Sequence, residues 1–556
     1  MHDLVYAFAL LAAALALSWP LGRAMAAIAQ PPRSQPDRLD RAIVRVLGPA
    51  AIAEQTWKSY ALALLGFNAL MFTITYAILI LQGSLPLNPA GKPGLEPSLA
   101  FNTAMSFATN TNLQHYSGEV ALSYFSQLFG LTWLQFVSAA TGIAALAAIA
   151  RMLGPSGAVG NYARDLIRFT LLILLPLALV VGATLIVAGT PMTFAGPVEL
   201  TTLEGDSQTI ARGPVAAMVA IKQLGTNGGG YFGPNSTHPL ESPSFFTCSL
   251  ENLSILVVSM ACLWMFGRLI GRMRDAWLLF AVMAALFVAM VIPAVLLEAQ
   301  PNPGLADLPI VEARGNLEGK ELRFGSAAGP VWAVTTTATS NGSVAAMHDS
   351  LNPLTGLLPM IGMWLNVSYG GVGVGLIGML LYVVVAVFIA GLMVGRTPEY
   401  LGRKVEVREM KLAALALLLH PLLILGGTAL FVATPLGTET MSNPGSHGFS
   451  QVLYEMSSAA ANNGSGFEGL ADNTTPWNLI TGLWMFLGRY LPIVLPLSIA
   501  ASLARKQRVP ESAGTLRTDS PTFALVLLGC VVLLGALLFL PAAVLGPIAE
   551  HLEMTR

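Results

Sequence analysis

Charge is scarce in this chain: Asp, Glu, Lys and Arg make up 11% of its 556 residues, where a soluble domain carries about a quarter. The charges nearly cancel, 29 basic against 30 acidic, so no surplus of cations can neutralise phosphates, and a nucleic-acid partner is excluded. Cysteine is scarcer still. Cys248, Cys262 and Cys530 lie in or beside apolar stretches without C-x-x-C spacing, and read as small buried hydrophobes rather than a disulfide framework or thiolate metal site. The Asp-Lys-Thr-Gly motif of a self-phosphorylating pump is absent. So is the phosphate loop G-x-x-x-x-G-K-[ST]; Gly91-Lys92-Pro93 and Gly319-Lys320-Glu321 fail its spacing and its final hydroxyl. Any energy used by this chain must come from a partner or an ion gradient.

Apolar residues are abundant: 54% of the chain, with a mean hydropathy of +0.66. They gather in runs of about 20 or more, enough to cross a hydrocarbon core of about 30 Å. Ten spans are expected, over 3–25, 60–82, 127–150, 168–190, 250–270, 277–298, 355–395, 411–434, 478–503 and 522–547. The first run, Leu4 to about Met25, lacks a basic leader and reads as a retained helix rather than a cleaved signal. Basic residues concentrate in alternate loops: Arg23 to Lys58, including Arg33; Arg151 to Arg168; Arg268 to Arg274; Arg396 to Lys411; and Arg505 to Arg517. By the positive-inside rule these loops face the cytoplasm and both termini lie outside. The parity holds only if 355–395 crosses once, although as a straight helix it would be about 60 Å long. Gly370, Gly371, Gly373, Gly375 and Gly378 weaken its middle, so a broken helix with an internal loop is expected. Loose backbone at membrane depth survives only inside protein or along a water-filled cavity.

The remaining loops, 83–126, 191–249, 299–354 and 435–477, are long and poor in basic residues. Each holds a short apolar segment ending in an Asn/Thr/Ser/Gly cluster. These are Phe101–Ala108 before Thr109-Asn110-Thr111-Asn112, Val215–Leu224 before Gly225-Thr226-Asn227-Gly228, Thr335–Thr339 before Ser340-Asn341-Gly342, and Met456–Ala461 before Asn462-Asn463-Gly464. Asn110, Asn227, Asn341 and Asn463 match at separations of 117, 114 and 122 residues. One such cluster is an ordinary turn; four in register are an internal repeat. The expected fold is an all-α membrane protein of about ten transmembrane helices, with four span–pore helix–filter–span repeats in pseudo-fourfold arrangement and an extra helix at each end. Its units are 1–59, 60–152 (repeat 1), 153–274 (repeat 2), 275–396 (repeat 3), 397–505 (repeat 4) and 506–556. Main-chain carbonyls can surround a dehydrated potassium ion if consecutive residues reach unusual backbone regions, which glycine permits and asparagine tolerates. The negative ends of pore-helix dipoles would favour a cation. Glu119, Glu241, Glu468 and Asp472 follow the clusters and would bias the outer mouth the same way.

The sequence closely resembles the KdpA family, the potassium-binding subunit of the Kdp potassium-transporting ATPase. The resemblance runs the full length. It is most specific at Thr109-Asn-Thr-Asn-Leu-Gln-His-Tyr-Ser-Gly-Glu119, Gly225-Thr-Asn-Gly-Gly-Gly-Tyr-Phe232, Ala346-Met-His-Asp-Ser350 and the loop Gly395-Arg-Thr-Pro-Glu-Tyr-Leu-Gly402. It implies K+ bound, mostly by main-chain oxygens, at Asn110, Thr111, Asn112, Thr226, Asn227, Gly228, Asn341, Gly342, Asn463 and Gly464, with no organic cofactor. It also implies that Gln114 tunes affinity; by itself Gln114 reads as a solvated loop residue. Implied partners are a P-type ATPase (KdpB-like) subunit that hydrolyses ATP, a single-span (KdpC-like) subunit and a very small (KdpF-like) membrane subunit. The implied setting is the bacterial inner membrane, with ions leaving sideways through an intramembrane tunnel. Asn341 and Asn366 stand where relatives carry a small cysteine-type and an acidic residue respectively. A stand-alone Trk/Ktr-like transporter driven by the membrane potential is the alternative.

Outside the clusters, Arg489 is the one clear deep charge in a span, either a fixed cation below the filter or an arginine that snorkels to the interface. That leaves no acid, base and nucleophile set for an intramembrane enzyme. Gly370, Gly371 and Gly373 are the candidate gate. Lys222 is either an anchor or functional. His115, His238, His348 and His447 lack metal-site spacing and read as solvated loop residues.

Overall fold

The computed structural model describes residues 2–30, 36–305, 315–393, 395, 397–508 and 517–555; Arg33 and Arg396 lie outside the described residues. In hydrocarbon every backbone N–H and C=O must be bonded within its own segment, and the apolar runs accordingly form helices. Ten among the described residues are long and apolar enough to cross a membrane, from Leu4–Ile28 to Pro521–Met554, so the protein is a multi-pass membrane protein. Ser126–Leu153 and Phe245–Ile270 are enclosed at the centre, while Leu4–Ile28, Trp57–Ser84 and Pro521–Met554 turn most of their surface outward.

Several boundaries move for one reason. The fourth span starts at Tyr162 rather than 168, with Asn161 accepting from the Ala163 and Arg164 amides. Its charges would shorten a hydropathy run, but each is buried and paired. Arg164 bonds Asp40 (2.9 Å), Arg168 bonds Asp40 (3.0 Å), and Asp165 meets Arg151. These pairs tie the basic loops together, and Arg403 and Arg508 add bonds to the Leu153 and Gly154 carbonyls. Two small antiparallel pairings interrupt the all-α pattern: Val198–Thr201 with Ser207–Ile210, and Glu399–Tyr400 with Arg403–Lys404.

The expected break in the long apolar segment is present. Helix Pro353–Leu365 ends at Asn366, whose φ of +49° is left-handed, and helix Val374–Met393 resumes after an irregular linker. Gly370, Gly371 and Gly373 lie in that linker; Gly375 and Gly378 belong to the second half-helix. Gly370 donates to the Ala338 carbonyl and Val372 to the Thr226 hydroxyl, which hangs the linker beneath the second and third filter turns.

The first helix packs on Phe245–Ile270. Trp264 donates to Ser18, and a Cβ on Gly22 would stand 2.5 Å from the Trp264 Cβ. Tyr6, near one end of the chain, packs against Phe245, while Glu550 and Glu553, near the other, bond His447 and Ser446. Both ends therefore lie on the side of the long, weakly basic loops.

Candidate ion filter

The four short apolar segments are helices: Pro97–Ala108, Val215–Leu224, Gly325–Ala338 and Gly445–Ala461. Each breaks into a filter turn by the same bond, from an amide five residues on to a helix carbonyl. Thr111 donates to Ser106 (2.9 Å), Asn227 to Lys222 (2.9 Å), Asn341 to Thr336 (2.8 Å) and Asn463 to Ser458 (2.9 Å). On both sides of that residue the backbone is left-handed. Asn110, Thr226, Ser340 and Asn462 have φ of +65°, +47°, +49° and +53°; Asn112, Gly228, Gly342 and Gly464 have φ of +59°, +87°, +85° and +104°. Such values are rare outside glycine and asparagine, and a repeated pair turns successive carbonyls the same way.

This register corrects the sequence match in the first repeat. Thr111, not Asn110, is the equivalent of Asn227, Asn341 and Asn463. The alternating Thr-Asn-Thr-Asn fits two alignments one residue apart, and only the bond back to the pore helix distinguishes them.

The turns close into a ring in chain order. A Cβ on Gly228 would lie 1.7 Å from the Asn341 carbonyl oxygen, one on Gly342 2.3 Å from that of Asn463, and one on Gly464 2.1 Å from that of Thr111. Between the first and second turns, Asn110 donates to the Gly225 and Thr226 carbonyls (3.2 and 3.0 Å). All ten expected filter residues are thus brought together; nine are buried and Gly464 is half-buried. Side chains lock the ring from behind. Asn341 donates to the Lys222 carbonyl and Asn463 to that of Thr336, while each carboxamide oxygen accepts from its own Ser343 or Ser465.

Gln114 is half-buried and bonded: it donates to the Gly230 carbonyl (3.0 Å) and accepts from the Gly230 amide (2.8 Å), pinning the first loop to the second. Lys222 is an anchor, wholly buried, bonding Glu241, Asn235 and Ser236. Glu241 is therefore spent on Lys222 and cannot bias the mouth, a correction to the sequence reading. Glu119 and Glu468 accept from the Gly233 and Asp349 amides and serve as loop braces.

The histidines also depart from expectation. His115 is buried between Glu455 (3.2 Å) and Asp472 (3.7 Å), with Asn478 on its other nitrogen; the three ligand atoms lie within 4.8 Å of one another. Loops distant in sequence make this cluster, so spacing could not reveal it. His447 bridges Asp349 and Glu550, His348 bonds Tyr454, and His238 stacks on Phe232. Burial alone would push the His115 imidazolium down; Asp472 and Glu455 outweigh it and hold the group up at about 9. Folded His115 therefore binds its proton more tightly than the unfolded side chain at about 6.5. Its stabilisation is complete below that value and is lost as pH rises through about 9. The thermal stability of the purified protein is expected to fall across that window, and His115→Gln to flatten the fall. Equal slopes in the two proteins would contradict the brace.

Below the ring, a cavity of about 80 Å³ is lined by Ser340, Asn366, Gly371, Asn462 and Arg489. Arg489 does not snorkel: it is buried, donates to the Ser138 carbonyl (3.2 Å) and, among the described residues, forms no ion pair. The third span supplies residues that the sequence reading missed. Gln135, Ser138 and Thr141 recur every third position, and Ser138 bonds Asn110 (2.8 Å) and Asn227 (3.2 Å). That polar stripe in an apolar run was the available signal.

Four pore-helix turns closed into one ring within a single polytopic chain define a four-repeat pore-loop membrane protein. A family model, potassium-transporting ATPase A subunit (KdpA), matches residues 8–552. The chain belongs to this family, and is by membership a subunit of a transporting ATPase rather than its ATP-hydrolysing unit. It is 49% identical over 517 residues to a potassium-transporting ATPase potassium-binding subunit of Geobacillus kaustophilus, covering 93% of this chain and 92% of the relative. It is 46% identical over 558 residues to a protein of the same name from Flavobacterium psychrophilum, covering 97% of each. Neither comparison favours the stand-alone transporter.

Proposed function

We propose that this chain captures K+ from outside the cell in the ring of filter turns and passes it to a P-type ATPase subunit. The carrying observation is the pair of left-handed residues repeated in all four turns, which aligns the carbonyls around Thr111, Asn227, Asn341 and Asn463. Oxygens held this way replace the hydration shell of a dehydrated ion. The ions concerned are the transported cargo. Arg489 beneath the ring is a fixed positive charge that hinders channel-like flow straight through and turns the ion aside. The cavity supports a sideways exit, since its walls include Leu417 and His420 of span Val407–Val432 and Phe539 of the last span. The partners are a KdpB-like ATPase subunit, a KdpC-like single-span subunit and a small KdpF-like subunit. The membrane is the bacterial inner membrane, with the basic loops in the cytoplasm and both termini outside.

The test is co-purification. Tagged chain drawn from native membranes in mild detergent should bring down a P-type ATPase subunit and K+-stimulated ATP hydrolysis. Sustained K+-selective flux through the chain reconstituted alone would overturn the pump-subunit reading.

The gate proposal narrows with the geometry. A Cβ on Gly373 would lie 2.2 Å from the Gly142 carbonyl and one on Gly370 2.1 Å from the Gly375 Cα, so substitutions there disturb packing. At Gly371 the nearest atom is 3.5 Å away and the backbone is not left-handed. Gly371→Ala is therefore the clean probe of linker stiffness. It is expected to slow K+-stimulated ATP hydrolysis severalfold with K+ binding at equilibrium unchanged; parallel loss of both would remove the linker as gate.

A further inference from the structure

The ring is not fourfold at one corner. In the third and fourth turns the left-handed glycine is followed by a serine, Gly342-Ser343 and Gly464-Ser465, and each serine bonds the filter asparagine before it. The second turn has Gly228-Gly229, and the first has Asn112 in place of the left-handed glycine. These two differences fit together. A Cβ on Gly229 would meet the Asn112 Cβ at 2.8 Å and its Oδ1 at 2.7 Å, so the Asn112 side chain fills the space that a serine at 229 would need. Asn227 consequently has no serine two residues on to donate to its carboxamide oxygen. Its Oδ1 is buried without a bond, and its amide turns to Asn110 (2.7 Å) and Ser138 (3.2 Å) instead of reaching the neighbouring pore helix.

One further side chain bridges this corner, beside the bonds of Asn110 and Gln114. Gln135, buried in the third span, donates from Nε2 both to the Asn112 Oδ1 (2.9 Å) and to the Gly229 carbonyl (3.1 Å). A primary carboxamide has two N–H donors, so a single group serves an oxygen from each of the two turns. Behind it, the Gln135 Oε1 and the Asn112 Nδ2 are buried without partners among the described residues. Unpaired buried amides are costly, and the corner persists because the neighbouring turns hold it through their own bonds.

We propose that Gln135 is a positioning residue that sets the separation of the first and second filter turns, and with it the affinity and size selectivity for K+. The inference rests on the filter reading above. Gln135 acts through Asn112 and Gly229, whose neighbours Thr111 and Gly228 lie in the ring. In Gln135→Met, equal in length but without a donor, both oxygens lose their hold and the corner relaxes. In Gln135→Glu the protonated acid offers one donor, so one oxygen keeps a partner and the effect is intermediate, whereas the ionised carboxylate repels both oxygens and the effect is at least that of Gln135→Met.

The experiment uses the ATPase complex purified through this chain, with K+, Rb+ and Na+ as probes and ATP hydrolysis and equilibrium binding as readouts. Gln135→Met is expected to raise the half-maximal K+ concentration by about tenfold, to narrow the preference for K+ over Rb+, and to lower the maximal rate far less. If that variant fails to assemble, Gln135→Glu decides alone. Gly342→Ala controls for the filter itself. Should it leave K+ binding intact, the filter reading fails and this inference with it. Should it abolish binding while the assembled Gln135 variants match the unsubstituted protein in half-maximal K+ and in selectivity, the role of Gln135 alone is overturned.

Discussion

Gly228→Ala is expected to abolish tight K+ binding while the ten spans still assemble. The new Cβ would sit 1.7 Å from the Asn341 carbonyl oxygen and 2.4 Å from the Ser343 amide, both backbone atoms that cannot rotate away. Relief therefore requires the third turn to retreat by more than 1 Å at the point where its carbonyl completes the ring, a displacement of the order that costs about 100-fold when reacting groups are misplaced. The left-handed φ of +87° adds a strain of about 1–2 kcal/mol for any residue with a Cβ. Gly66→Ala is the matched control, because Gly66 has helical backbone and no atom within 4 Å of the added carbon. Titration of K+ into the two purified variants separates the outcomes. Binding retained by Gly228→Ala within a few-fold of the control would show that the ring is not where K+ is held.

Lys222→Met should be strongly destabilising although it lies outside the turns. Lys222 and Glu241 are both wholly buried, and the ammonium also satisfies Asn235 and Ser236. Asn235 in turn donates to the Gly228 carbonyl (2.6 Å), and Glu251 accepts from Ser236 and Gln223 in the same network. Removing the cation strands a buried carboxylate, at a cost of about 3–5 kcal/mol. Because the network backs the second turn, K+ affinity should fall together with the melting temperature. Lys222→Met with Glu241→Gln removes both charges and should recover a large part of the loss. If the single variant melts with the unsubstituted protein, the ion pair is dispensable; if the double variant is as unstable as the single, the stranded charge is not the cause.

Much of the architecture could be read in advance because it is written in local pattern. Apolar runs specify spans, and the glycines of 370–378 specify a break that Asn366 caps. Short apolar segments before Asn/Gly clusters specify pore helices. The places where pattern misled share one physical origin: polar groups look solvated until a partner from elsewhere buries them. Arg164, Asp165 and Arg168 shortened an apparent span, yet all three lie inside it. Glu241 looked like a free charge at the mouth and is paired with Lys222, and His115 looked like a loop residue and is enclosed by Glu455 and Asp472, from more than 300 residues away. The missed filter supports, Gln135 and Ser138, are neutral, and hydropathy passes over them.

By itself, then, the sequence determined the membrane class, the broken helix and the four short apolar helices that end in Asn/Gly clusters. Each of these follows from the composition or conformational freedom of a few consecutive positions. The tertiary structure alone decided that Thr111 rather than Asn110 stands in register, that the turns close in the order of the chain, and that one corner differs from the other three. The register rests on the Thr111 amide bonded back to the Ser106 carbonyl, while the closure and the odd corner depend on hydrogen bonds and van der Waals contacts between residues more than 90 positions apart. Such contacts are set by how the helices pack, and no local pattern encodes them.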